Sequence, residues 1–188
     1  MEKTKVTDKA IERRIPRLET LGIDRTDLTL LKHLQRQGRT KRNELAEEVG
    51  LSLPAVSERM RKLEERGILE GIQAKLDPKL VGLDVAAFIF VTVESSSNYA
   101  HFLEAAAQHP EVLEVHAITG DGSHLLKIRT WNTSTLERLL SEIQSWPGVR
   151  GTRTNVVLST HKETMALPLE EFEITVQAHH PSNPQTSL

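Results

Sequence analysis

Cysteine is absent from all 188 residues, which removes disulfide frameworks, iron–sulfur clusters and thiolate zinc sites and permits a reducing compartment. Aromatic residues make up only 4% of the chain, so few side chains are available to stack on unpaired bases. Long apolar runs are also missing. The longest, Val85 to Val91, falls far short of the roughly 20 residues needed to cross a bilayer as a helix, and suits a buried strand instead. Arg13 and Arg14 are not followed by the apolar segment of an export signal, so no membrane partner is expected and a cytoplasmic protein fits. The 8 histidines, at 33, 101, 109, 116, 124, 161, 179 and 180, lack a ligand spacing such as HExxH. No GxSxG, phosphate loop or dinucleotide fingerprint occurs either, so neither an enzyme nor a metal or other cofactor is expected.

What remains is an ordinary globular composition, 38% hydrophobic and 27% charged, at a length suited to one large or two small domains. The net charge of −2 hides an asymmetry. Residues 1–75 hold 17 Lys and Arg against 13 Asp and Glu, whereas residues 76–188 hold 7 against 13. The front half is the one suited to face phosphate.

The helical pattern in that half is specific. An apolar stripe of Ile23, Leu28, Leu30, Leu31 and Leu34 predicts a helix over Asp24 to Gln37, with Asp27 favourably placed near its start and Gly38 ending it. Leu45, Ala46 and Val49 share one face of a second helix, and Gly50 permits a sharp reversal. Ser52 is placed to cap a third helix that takes Pro54 in its first turn. On that third helix Val56, Met60 and Leu63 face inward, which leaves Ala55, Ser57, Glu58, Arg59, Arg61 and Lys62 outside or on the flanks. A small-residue, cationic helix held this way can enter a major groove. Ile68 to Leu76, after Gly67, reads as a short extended wing, so double-stranded DNA is the expected partner.

From Asp84 the period changes. Strand (Asp84–Glu94), helix (Tyr99–His109), strand (Val112–Thr119), hairpin turn (Gly120–Ser123), strand (His124–Trp131), helix (to Ser145) and strand (Val149–Ser159) follow in turn. This β-α-β-β-α-β order is that of a ferredoxin-like domain, a four-stranded antiparallel sheet with both helices on one face. Phe88 and Phe90, two apart, point either to the helices or to the uncovered face. In the second case they favour packing against another copy, and a dimer also suits paired DNA half-sites. The whole chain is α+β: an arm (1–22), a winged helix-turn-helix domain (23–75), a linker (76–83), a ferredoxin-like ligand-binding and oligomerisation domain (84–170) and a tail (171–188).

Two rivals come from other classes. One is a ligand- or RNA-binding protein built on the ferredoxin-like sheet, with the helical domain as a protein interface. The other is an amino-acid-binding enzyme subunit. The sheet offers poor stacking platforms for RNA, since the strand from His124 carries only Trp131, at its end.

The ordered set Ile23-Asp24-Arg25-Thr26-Asp27, Glu44-Leu45-Ala46, Leu51-Ser52, Arg59 with Leu63-Glu64, Gly67 to Gly71, Leu76-Asp77-Pro78, Val81-Gly82, Thr119-Gly120-Asp121, Pro147-Gly148-Val149 and Thr154 to Leu158 resembles the Lrp/AsnC family of transcriptional regulators. The resemblance covers Ile23 to Met165. It implies a DNA-reading domain followed by an amino-acid-sensing domain, dimers that often assemble into octamers, and an effector site near the turn between the second and third strands. Carried onto this chain, the DNA-contacting set is Arg39, Thr40, Ser52, Ser57, Glu58, Arg59, Arg61 and Lys62. Arg59 and Lys62 are expected on phosphates, Ser57 and Glu58 over base edges. The effector set is Gly120, Asp121, Gly122, Ser123 and His124, with glycine-flanked amides for a carboxylate and Asp121 for an ammonium. Family members frequently carry an acidic residue followed by an aromatic one where this chain has Ser123-His124, so less negative charge is offered to an effector's amine.

Overall fold

The computed structural model describes residues 22–169, which group into two compact units, 22–74 with 164–169 and 75–163. Apart from Gly22, the expected arm (1–22) lies outside the described residues, as does the expected tail (171–188).

The first unit is built on three helices, α1 (Arg25–Arg36), α2 (Arg42–Val49) and α3 (Leu53–Glu65). Asp24 caps α1 by accepting from the Asp27 amide at 2.9 Å, and Asp27 returns the contact by accepting from the Asp24 amide at 3.2 Å. This reciprocal box satisfies donors that a helix start otherwise leaves orphaned. Gly50 takes φ +65 at the end of α2, a left-handed turn that a side chain would strain. The chain reverses there, and Ser52 caps α3. Leu30, Leu34, Leu45, Ala46, Val56 and Met60 form the core between the helices. Beyond α3, residues 70–77 enter no strand ladder, so the wing is an irregular segment rather than a paired hairpin.

Residues 164–169 belong with this unit and not, as expected, with the sheet domain. Leu167 donates its amide to Gln35 Oε1 at 2.6 Å, and Gln35 Nε2 donates to the Leu167 carbonyl at 3.3 Å. Leu169 packs on the small cluster of Ile23 and Leu28.

The second unit contains β1 (Val85–Val93), α4 (Tyr99–Gln108), β2 (Val112–Ala117), β3 (His124–Thr130), α5 (Thr133–Ser145) and β4 (Val149–Val156). The antiparallel sheet runs β2-β3-β1-β4. Residues 76–83, read as a linker, lie in this unit, turned by hydrogen bonds from Gly82 N to Lys79 O and from Leu83 N to Pro78 O.

Alternation along the central strands decides which face is which. Ala87, Ile89, Val91 and Val93 of β1 and Leu126 and Ile128 of β3 are buried with Phe102, Ala106, Leu136, Leu139 and Ile143 of the helices. Phe88 and Phe90 therefore take the opposite, open face, with Phe88 36% exposed. Of the two orientations the sequence allowed, the structure has the outward one.

Candidate DNA interface and effector turn

On α3 the inward face is Val56, Met60 and Leu63, each no more than 4% exposed, and the polar residues stand away from it. Ser57 is half-buried, whereas Glu58, Arg61 and Lys62 are exposed. The cations are not bare. Arg61 binds Glu58 at 2.7 Å and also Glu65, while Lys62 lies 3.6 Å from Glu58. Hydrogen bonding from Arg61 pulls the Glu58 carboxyl down to about 2, so Glu58 is fully charged at neutral pH. Exposed pairs on one helix contribute little and break readily when a phosphate competes. Ser52, expected among the contacts, is occupied as the α3 cap, its Oγ accepting from the Ala55 amide at 3.4 Å.

Arg59 behaves differently from its neighbours. Its Nη1 lies 2.7 Å from Asp24 and 2.8 Å from Asp27, at the start of α1. Hydrogen bonds to Asp27 and then to Asp24 raise its pKa further above the ordinary arginine value.

The start of α2 is open. Lys41 occupies the cap position and gives no side-chain cap, which leaves the first-turn amides facing outward. Arg39, Lys41 and Arg42 around it are exposed, and no ion pair ties them among the described residues. Thr40 is partly withdrawn, donating to the Gln37 carbonyl at 2.8 Å and sharing a 3.0 Å hydrogen bond with His33. Sequence reasoning named Arg39 and Thr40 but missed Lys41 and Arg42. The signal was the unbroken polar run Arg39-Thr40-Lys41-Arg42 before the first apolar residue of the helix.

The turn between β2 and β3 is tight. Gly122 donates its amide to Gly120 O at 3.0 Å and Ser123 donates to Val91 O at 2.9 Å, so two of the amides offered to an effector carboxylate are already engaged. Among the described residues those of Gly120 and Asp121 are not, and none of those residues lies within 4 Å of a methyl built on Gly120. Asp121 pairs with Arg153 of β4 at 3.0 Å, and Arg153 lies 4.6 Å over the Phe90 ring. Arg153 was not among the sequence candidates. It is an outward cation in the alternating Thr152-Arg153-Thr154, legible only once β4 is known to lie beside β1.

His124 is corrected by the structure. It is 0% exposed, with its ring 4.8 Å from both Tyr99 and Phe102, because β3 starts on its inward phase. It therefore cannot line an effector site at the surface. Nor does it approach His116, which pairs across from Leu125 and meets Glu114 on the open face. Nδ1 of His124 shares a 2.9 Å hydrogen bond with Ser123 Oγ, while Nε2 has no hydrogen-bond partner among the described residues. Desolvation lowers its pKa, since charging an imidazole in this core is costly. The folded state holds fewer protons than the unfolded one just below about pH 6.5, the ordinary histidine value, so stability rises with pH there and is lost on acidification. Denaturant titrations of the native protein between pH 7 and 5 should show this loss. The variant His124→Leu should show a flatter profile, and equal slopes would exclude His124 as the source.

Family comparisons agree with this geometry. A winged helix-turn-helix DNA-binding model matches residues 23–70, and an Lrp/AsnC ligand-binding domain model matches residues 86–167. The HTH-type transcriptional regulator FL11 of Pyrococcus horikoshii is 39% identical over 148 residues, covering 79% of this chain and 97% of that protein. The leucine-responsive regulatory protein of Escherichia coli K12 is 34% identical over 151 residues, covering 79% and 92%. A crystal structure of a transcriptional regulator from Neisseria meningitidis in complex with L-methionine superposes with a TM-score of 0.73 at 33% identity, covering 79% of this chain and 97% of that one.

Proposed function

Because the chain belongs to the Lrp/AsnC family of DNA-binding transcriptional regulators, we propose that α3 enters the major groove and that the start of α2 grips the flanking backbone. Ser57 and Glu58 then sample base edges, Glu58 accepting from a cytosine amine, while Arg61 and Lys62 leave their carboxylate partners for phosphates. Arg39, Lys41 and Arg42, with the open amides of α2, hold further phosphates, while Thr40 ties the turn before α2 to the end of α1 and Ser52 caps α3. The observation that carries this reading is the group of three cations with no ion pair among the described residues at a helix start without a side-chain cap, beside a reading helix whose Val56, Met60 and Leu63 are buried.

The sheet domain is assigned two tasks. Its open face, centred on Phe88 and Phe90, pairs with the same face of a second copy, and higher assembly up to an octamer builds on that dimer. The β2–β3 turn takes an amino acid whose carboxylate meets Arg153 and the amides of Gly120 and Asp121, and whose ammonium meets Asp121. Gly122 and Ser123 shape the turn from behind. The L-methionine of the Neisseria protein supports this class of effector. The site of action is where the DNA is, in the cytoplasm.

Selection of bound genomic fragments with and without a panel of L-amino acids tests both halves. A common motif whose occupancy changes with one amino acid is the expected outcome. Recovery indistinguishable from the input DNA would refute the assignment of the reading surface, and a motif indifferent to every amino acid would refute the effector.

A further inference from the structure

We propose that Arg59 is a positioning residue, tying the reading helix to the first turn of α1 and so fixing the angle at which α3 meets DNA, rather than a phosphate contact. The inference rests on the DNA-binding role of the first unit and concerns how that role is achieved.

Three observations carry it. The first is the division of oxygens. Asp24 uses Oδ1 to cap the Asp27 amide and Oδ2 to meet Arg59, while Asp27 uses Oδ2 to accept from the Asp24 amide and Oδ1 to meet Arg59. Every carboxylate oxygen at the start of α1 is thus employed, and Arg59 completes the set.

The second is charge. One guanidinium stands against two carboxylates, so the cluster is net negative before any helix-end effect. A phosphate brought to Arg59 would meet both acids, unlike one brought to Arg39, Lys41 or Arg42.

The third is place. Arg59 lies one residue before Met60, which is buried in the core, and its side chain is 31% exposed where that of Lys62 is 61%. Asp27 is itself buried, at 7% exposure. Leaving its carboxylate without a partner is costly, and rotation of α3 about its own axis would do that. The contact therefore sets the phase in which Ser57, Glu58 and Arg61 are presented.

The two roles predict opposite results for one isosteric change. Asp27→Asn keeps a carbonyl to accept from the Asp24 amide but removes half of the charge holding Arg59. With a positioning role, affinity for a duplex selected by the native protein from a random library falls about tenfold relative to unselected duplex, the order of one lost specific contact. Arg59→Gln does the same, and leaves the salt dependence of binding to unselected duplex unchanged. With a phosphate role, Asp27→Asn frees a cation and tightens both duplexes, while Arg59→Gln flattens the log-log salt slope by about one unit and keeps the selected-to-unselected ratio. That pair of results, or native binding by both variants, would overturn the proposal. Circular dichroism confirms folding before each titration. Should Arg59→Gln fail to fold, Arg59→Lys with Asp27→Asn decides the same question.

Discussion

Alanine at Arg39, Lys41 and Arg42 together should flatten the log-log dependence of DNA affinity on salt by about three units and weaken binding near physiological salt on the order of a hundredfold, on every duplex alike. Each cation that leaves a phosphate returns about one counterion to the duplex, and among the described residues these three carry no ion pair that must first be broken. They also stand at the positive end of the α2 dipole, where first-turn amides add to the attraction. All three are exposed and outside the core, so folding stability should move by no more than about 0.5 kcal/mol. Anisotropy titrations across a potassium chloride series report the slope. A triple variant with the native slope would remove the α2 start from the interface.

Phe88→Glu is the second large effect. Phe88 lies on the central strand β1 with its ring on the open face, beside Phe90 and opposite Lys127 and Asn155 in the neighbouring strands. A carboxylate there costs the monomer less than one in the core would, since Phe88 is 36% exposed on the open face, but two symmetry-related copies would bury like charges against each other. Light scattering should find monomers. Affinity for a selected two-half-site duplex should fall on the order of a hundredfold or more, because the second half-site is then no longer engaged within one particle. If the scattering mass matches that of the native protein, the open face is not the dimer interface.

Much of this was legible from periodicity. The reading helix, its cap at Ser52 and its buried triad follow from spacings of three and four. The end of α5 at Ser145 follows from Pro147-Gly148, and its start from the Asn132 cap, which accepts from the Thr135 amide at 3.0 Å. What escaped was set by partners distant in sequence. Arg59 looked like its cationic neighbours because its acids lie 35 and 32 residues away. His124 looked like a surface turn residue because the phase of β3 is fixed by its ladder with β1, where it sits opposite Val91. The regular alternation expected along β2 fails at a register shift between Val112 and Glu114. That irregularity puts Leu113 outside, at 51% exposure, and nothing in the local composition marks it.

The side-chain amide of Gln35 imitates a strand neighbour, offering one donor and one acceptor to the main chain of a single residue, Leu167. The ribosome makes the whole sheet domain between these two residues, so the helical domain is finished by chain that is translated long after its helices have emerged. Cutting the gene after the third helix would therefore yield a headpiece missing two of its apolar plugs, Ile68 and Leu169, against Ile23 and Leu28.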